Sequence, residues 1–362
     1  MTRALLIAPQ WIGDAVMSEP LVAVLAARGE VLTVAALHWV APVYRAMRGV
    51  AEVIDLPFAH GRLDWRARRA LGVAWRGRFE RAYVLPNSIK AALLPYFAGV
   101  PRRTGYQGEG RWLLLNDRLP NPRVRRPPMV DFYQALAGDA ALSARVLPRL
   151  RLEGDAIDGA LGRLAAQQGR PALQRGAYFA FAPGAEYGPA KRWPEAHYAA
   201  LATRLHADHA LPVLLLGSAK EKALCEAVAA LAPEACHVAA GATSLADAMA
   251  LIAGARGLVS NDSGLMHVGA AFGIPQVALF GSTSPEHTPP LNARARVLWM
   301  KEELQLACAP CFERGCRYGH TRCLTELPPE RAGLALADAL AGDAAWHLGG
   351  GASNCNGVTT RR

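Results

Sequence analysis

Several signatures are missing from this 362-residue chain. No G-x-G-x-x-G follows the first apolar run, which argues against a nicotinamide dehydrogenase. No G-x-x-x-x-G-K-[ST] occurs either, which excludes a P-loop kinase or ATPase. There is no D-x-D, so nothing marks a metal-bound nucleotide-sugar site. No apolar run approaches the ~20 residues that span a bilayer. The run Ala4–Pro9 is cut off by Gln10, Trp11 and Asp14 too soon for a secretory h-region, and a cytoplasmic location is the expectation. Lysine is scarce: only Lys90, Lys191, Lys220, Lys222 and Lys301 stand among 40 basic residues. Despite a pI near 9.5, no RRM, KH, helix-turn-helix or zinc-finger pattern supports a nucleic-acid-binding protein.

What is present points to a two-domain protein. Hydrophobic residues make up 52 % of the chain, too many for disorder, and the length exceeds what one core usually holds. The net charge of +10 is unevenly placed. Residues 1–170 hold 24 basic and 14 acidic residues, and the remainder holds 16 of each. An arginine-rich first half suits an anionic partner, because the guanidinium fork captures phosphate or carboxylate bidentately.

Short apolar runs recur every 20 to 30 residues with helical patterns between them. In the first half they are Ala4–Ala8, Val31–Leu37, Val53–Leu56 and Ala82–Leu85. In the second they are Tyr178–Ala182, Pro212–Leu216, His237–Ala239, Gly257–Ser260, Gln276–Phe280 and Val297–Met300. Continuous apolar runs are the mark of parallel strands covered on both faces, so two doubly wound α/β domains are expected. The domain reading is 1–168 and 176–341, with 342–362 as a disordered tail after the last helix.

Three segments carry candidate chemistry. After the first strand come Gly13, expected to allow a tight strand-to-helix turn, and Asp14 in the first helical turn. Asp14 either caps that helix or faces a ligand at the strand end. Ser260–His267 repeats the arrangement: Ser263 and Gly264 open a helix whose free N–H groups suit a phosphate, and His267 lies four residues after Ser263. Between them, the Gly/Pro-rich stretch Ala182–Pro194 places Lys191 and Arg192 just before a helix, while Glu221 follows another strand. Cys308, Cys311, Cys316 and Cys323 sit within sixteen residues. Their spacing is open to structural zinc or to free thiols.

Together these segments resemble the ADP-heptose:lipopolysaccharide heptosyltransferases of glycosyltransferase family 9. The resemblance rests on Ile12–Ser18, Leu85–Lys90, Ala98–Gly105, Pro183–Pro194 and Asn261–Val268, and runs from Leu5 to about Leu340. The long Gly184–Pro194 loop favours the branch that adds the second heptose over the branch that adds the first. The resemblance implies a GT-B fold, two Rossmann-like domains facing across a cleft, with no metal or cofactor needed for transfer. It implies that Asp14 is the general base and that Lys191 stabilises the leaving diphosphate. Glu221 would hold the ribose, Asp262 would lie near the sugar, and Gly13, Ser263, Gly264, Leu265 and His267 would complete the donor site. The acceptor implied is an anionic glycolipid, heptosyl-Kdo2-lipid A, at the cytoplasmic face of the inner membrane. Arg62, Arg66, Lys90, Arg102 and Arg103 are the leading candidates to meet it, with Arg68, Arg69, Arg123, Arg125 and Arg126 behind them.

Overall fold

The computed structural model describes residues 1–59, 61–122, 127–138 and 146–346. Six strands form the first sheet: β1 Arg3–Ile7, β2 Val31–Leu37, β3 Val50–Leu56, β4 Arg81–Val84, β5 Arg102–Tyr106 and β6 Asp117–Leu119. Six form the second: β7 Phe179–Ala182, β8 Val213–Leu215, β9 Cys236–Val238, β10 Gly257–Asn261, β11 Gln276–Phe280 and β12 Ala295–Trp299. The orders are β3-β2-β1-β4-β5-β6 and β12-β11-β10-β7-β8-β9. All these pairings are parallel. This is the doubly wound α/β architecture expected, built twice. Strand order reverses between β1 and β4 in one sheet and between β7 and β10 in the other, which fixes where a ligand crevice can form.

The central strands follow from their composition. Ala4, Leu5 and Leu6 of β1 and Phe179, Ala180 and Phe181 of β7 are wholly inaccessible to solvent. Only apolar residues tolerate helices on both faces. β5 and β6 read Arg-Arg-Thr-Gly-Tyr and Asp-Arg-Leu, with no apolar run, and sequence reasoning missed both. They lie at the outer side of their sheet, where polar side chains reach water. Ser244 opens the helix Leu245–Ala253 through the capping box expected there, its side chain taking the Asp247 N–H.

The two units are joined by one continuous hydrophobic core. It runs from Val16, Tyr44 and Tyr133 to Met249, Ile252 and Val268. Backbone bonds cross with it, from Leu150 N to Ala271 O at 3.0 Å and from Arg151 N to Ala46 O at 2.9 Å. The stretch at the expected domain boundary contains the helix Gly154–Gln168. Its buried stripe Ile157, Ala160, Leu161 and Leu164 packs on the second unit, where Arg163 pairs with Asp247. The domain reading had placed this helix with the first half. The three glycines Gly154, Gly159 and Gly162 dilute the stripe in the sequence. The last helix runs from Pro329 to Trp346, five residues past the expected end at Ala341, and 347–362 of the expected tail lie outside the described residues.

Candidate active site at the seam of the two sheets

The first crevice begins where β1 ends. The helix Ile12–Met17 has Trp11 at its N-cap, in extended conformation and without a side-chain cap, and Asp14 in its first turn. The cap alternative for Asp14 is therefore removed. Gly13 does not make a tight turn, because it lies inside the helix. What it supplies is space: a Cβ there would stand 2.9 Å from His267 Cδ2. Gly264 answers from the other side, where a Cβ would meet Ile12 Cβ at 2.8 Å. Two glycines thus let the helices Ile12–Met17 and Gly264–Phe272 touch at their N-terminal ends, and motifs from opposite halves of the chain meet.

Asp14 is partly buried in this seam. Desolvation pushes its carboxyl up to about 6, and no cation among the described residues offsets that cost. Two buried hydroxyls sense its charge, those of Tyr44 and Tyr133, both raised chiefly by burial. Tyr44 is fixed by a 2.9 Å bond with Ser18 Oγ, which also donates to Ala15 O. Sequence reasoning missed both tyrosines, since an isolated Tyr in a buried segment gives no spacing signal.

At the second crevice, β10 ends in Asn261, and Asp262 follows it. Asn261 is buried and structural: its Nδ2 donates to Pro183 O at 2.7 Å and its Oδ1 accepts from Trp193 N at 3.1 Å. It pins both ends of the Pro183–Pro194 loop to the strand. Within that loop Lys191 Nζ donates to Asp262 Oδ2 at 2.6 Å and lies 3.3 Å from Asp262 O. Its ammonium also stands 5.1 Å from the Tyr187 ring centre. Asp262 takes a second bond, from Thr283 Oγ1 at 2.6 Å. Thr283, in the loop after β11, was another residue missed. A lysine has three N–H donors, so the third is left to aim at an anion.

Ser263 is the N-cap of the Gly264–Phe272 helix, with extended backbone and no side-chain cap, so the first amides of that helix are open to a ligand. Leu265 packs partly into the core. His267 is buried, and its ring is held down to about 4, by burial first and by Lys191, against the pull of Asp262. It is neutral at pH 7. Glu221 forms a capping box, taking Ser218 N at 2.8 Å and Ser218 Oγ at 2.9 Å on Oε2. Its other oxygen rests on Gly184, where a Cβ would stand only 1.9 Å from Oε1. Gly184 thus admits the carboxylate to the loop. Gly184→Ala is expected to displace the Glu221 carboxylate from the loop with little change in melting temperature, because a flexible side chain can give way. A crystal structure of the variant together with calorimetry checks this.

The basic candidates divide. Arg62 and Arg66 are exposed beside the start of the helix Trp65–Ala74, and Lys90 is near the start of the helix Ile89–Phe97. Both helices start at the carboxyl edge of the first sheet, as the Asp14 helix does. Arg102 and Arg103 do not belong with them. They begin β5, level with Arg81 and Ala82 at the opposite edge. Arg102 pairs with Asp117 at 2.8 Å, and Arg103 is spent on Leu114 O and Val100 O. A charge count along the chain cannot tell one strand end from the other. Arg68 is buried, and Arg123, Arg125 and Arg126 lie outside the described residues.

The four cysteines surround one cavity of about 20 Å³, beside Gly281 and Ser282. Among the described residues, no three His, Cys, Asp or Glu side chains are gathered so as to hold a metal ion. Their segment instead buttresses the site. Phe312 N donates to Ser282 O at 2.7 Å, Ala190 N donates to Arg314 O at 3.1 Å, and Tyr187 Oη donates to Phe312 O.

This geometry has close relatives. The family model for glycosyltransferase family 9 (heptosyltransferase) matches residues 66–322. The chain belongs to glycosyltransferase family 9. It is 43 % identical over 311 residues to lipopolysaccharide heptosyltransferase 2 of Escherichia coli K12, covering 82 % of this chain and 87 % of that one. It is 37 % identical over 347 residues to lipooligosaccharide heptosyltransferase 2 of Haemophilus influenzae, covering 93 % and 99 %. Among solved structures, the E. coli ADP-heptose lps heptosyltransferase II superposes with a TM-score of 0.80 at 37 % identity, over 94 % of this chain and 99 % of that chain. The two sheets are thus the halves of a GT-B fold, and this family 9 chain carries Asp14 and Lys191 at the two switch points.

Proposed function

We propose that this family 9 heptosyltransferase moves L-glycero-D-manno-heptose from its ADP-activated form to the first heptose of heptosyl-Kdo2-lipid A, with inversion at the anomeric carbon. One observation carries the reading. The packing of Gly13 on His267 sets a desolvated carboxylate, Asp14, across the seam from a neutral imidazole that adjoins the Lys191–Asp262 pair. Asp14 would take the proton of the acceptor hydroxyl as that oxygen attacks the anomeric carbon and the bond to the diphosphate breaks. The third N–H of Lys191 and the amides at Ser263 and Gly264 would receive the negative charge that builds on the leaving ADP. Glu221, beside Gly184, would hold the ribose, with Asp262 and His267 shaping the sugar end and Gly13 and Leu265 closing the wall. These groups are preorganised by Asn261, Ser218 and Thr283, so the reading calls for no metal and no cofactor.

The carboxyl of Asp14 gives a pH signature. The base must be ionised, and its value is raised to about 6. The ratio kcat/KM for the acceptor is therefore expected to be flat above pH 7, to halve near pH 6 and to fall about tenfold per unit below it. A flat profile down to pH 4.5 would contradict the assignment. The function itself is tested with a donor panel in EDTA-containing buffer. ADP release is expected from ADP-heptose only when the heptosylated acceptor is present, and UDP- or GDP-sugars are expected to be inert. Because the acceptor is lipid-borne, this reading places the enzyme at the cytoplasmic face of the inner membrane, in peripheral contact with it.

A further inference from the structure

Three loops at the carboxyl edge of the first sheet are stitched into one surface by two buried arginines. Arg68 donates from Nε to Leu63 O at 2.7 Å and from Nη1 to Lys90 O at 3.3 Å, joining the loop before the Trp65–Ala74 helix to the start of the Ile89–Phe97 helix. Arg111 donates to Pro86 O at 2.6 Å and to Asn87 Oδ1 at 3.0 Å, and Glu109 takes the Ile89 N–H at 3.0 Å. These bonds bring the turn Arg111–Leu113 against the same loop. Burying two guanidiniums is costly, and although Arg111 Nε has no partner among the described residues, their other hydrogen bonds organise what stands above them.

What stands above them is apolar and basic. Leu63 and Trp65 are each 49 % exposed, Ile89 43 %, Trp112 62 % and Leu113 66 %. Large apolar side chains on a soluble surface are ordinary when single, but five on adjoining loops are a contact surface. Arg62, Arg66, Arg69 and Lys90 lie among them. The acidic neighbours on these loops are already engaged, Asp64 by Arg62 at 3.2 Å and Glu109 by the Ile89 amide. Tryptophan and leucine set among arginines match the two layers of an anionic bilayer surface. The rings and aliphatic groups enter the boundary of the acyl region, and the guanidiniums meet phosphate.

We propose that this rim, Leu63, Trp65, Ile89, Trp112 and Leu113 with their flanking arginines, docks the enzyme on an anionic phospholipid leaflet. The docking holds the Asp14 edge of the first sheet toward the membrane, so that a lipid-borne acceptor reaches the seam without leaving the leaflet. The proposal rests on the functional reading only for the acceptor being lipid-borne, and the test separates the two.

Binding is measured by co-sedimentation of the full chain with acceptor-free vesicles of phosphatidylethanolamine and phosphatidylglycerol, and with neutral phosphatidylcholine vesicles. The wild type is expected to bind the anionic vesicles, to bind the neutral ones at least tenfold more weakly, and to release as salt is raised. The double variant Trp112→Asp/Leu113→Asp is expected to lose binding at least tenfold with an unchanged melting temperature. Its turnover on a water-soluble acceptor stripped of acyl chains should stay within twofold of wild type. Equal binding of wild type and variant, equal binding to neutral vesicles, or no binding by the wild type would each overturn the proposal. Absence of transfer by the wild type on the soluble acceptor would instead count against the functional reading.

Discussion

Asp14→Asn is expected to lower kcat by about 10²–10⁴-fold while leaving the dissociation constant for ADP within twofold. The amide matches the carboxylate in size and cannot accept the acceptor's proton. The fold has little reason to change, because among the described residues the Asp14 carboxylate holds no helix cap and no ion pair. Removing a charge that is desolvated in the seam should, if anything, make the protein slightly more stable. Calorimetric titration with ADP, a melting curve and a turnover assay together read this. Weakened ADP binding of the same size as the rate loss would move Asp14 from the acceptor side to the donor side and end its role as base.

Lys191→Ala is expected to lower turnover by about 10²–10³-fold, near 2.7–4 kcal/mol of transition-state stabilisation, and to weaken ADP binding as well. Both effects follow from one atom. Nζ is fixed by Asp262 Oδ2 at 2.6 Å and keeps a third donor, which in the proposed reading would meet the diphosphate in the ground state and more strongly as the bond breaks. The truncation also leaves Asp262 buried with only Thr283 as its named side-chain donor, which costs stability. Lys191→Gln separates the two, since an amide still donates to Asp262 but brings no charge. The glutamine variant is expected to melt close to wild type and to turn over as slowly as the alanine one. A glutamine variant that regains most of the activity would show that Lys191 acts by holding Asp262, not by its charge.

Much of this arrangement was legible in the sequence, for physical reasons. β2 and β11 were read to the residue, because a strand covered by helices on both faces has to be apolar throughout. Asp14, Lys191 and Ser260–His267 were singled out because they sit in segments that end or follow such strands, and the resemblance, not the spacing, supplied their roles. Other parts left no trace. Tyr44, Tyr133 and Thr283 reach the site from segments whose own pattern is ordinary, and only the tertiary fold shows their direction. Gly13 was identified for a turn it does not make. Its value lies in what faces it, His267 from the far half of the chain, and no local rule contains that. Arg102 and Arg103 were drawn in by net charge, which has no sense of strand direction. The helix Gly154–Gln168 was overlooked because three glycines weaken its propensity, although packing of its stripe restores it.

The uneven charge acquires a location as well. Of the first half's excess arginine, part is spent inside the fold, as with Arg68, Arg103 and Arg111, and part pairs with carboxylates on the strand edges, as with Arg102 and Asp117. What remains near the starts of the Trp65–Ala74 and Ile89–Phe97 helices is Arg66, Arg69 and Lys90, while Arg62 pairs with Asp64 at 3.2 Å.

The most direct test of the account is transfer from ADP-heptose to two acceptors compared side by side, Kdo2-lipid A with no heptose and the same glycolipid carrying one. The account predicts that only the heptosylated acceptor gains a heptose, with ADP released in equal amount and the new linkage inverted relative to the donor. Equal or preferred transfer to the acceptor without heptose would contradict it.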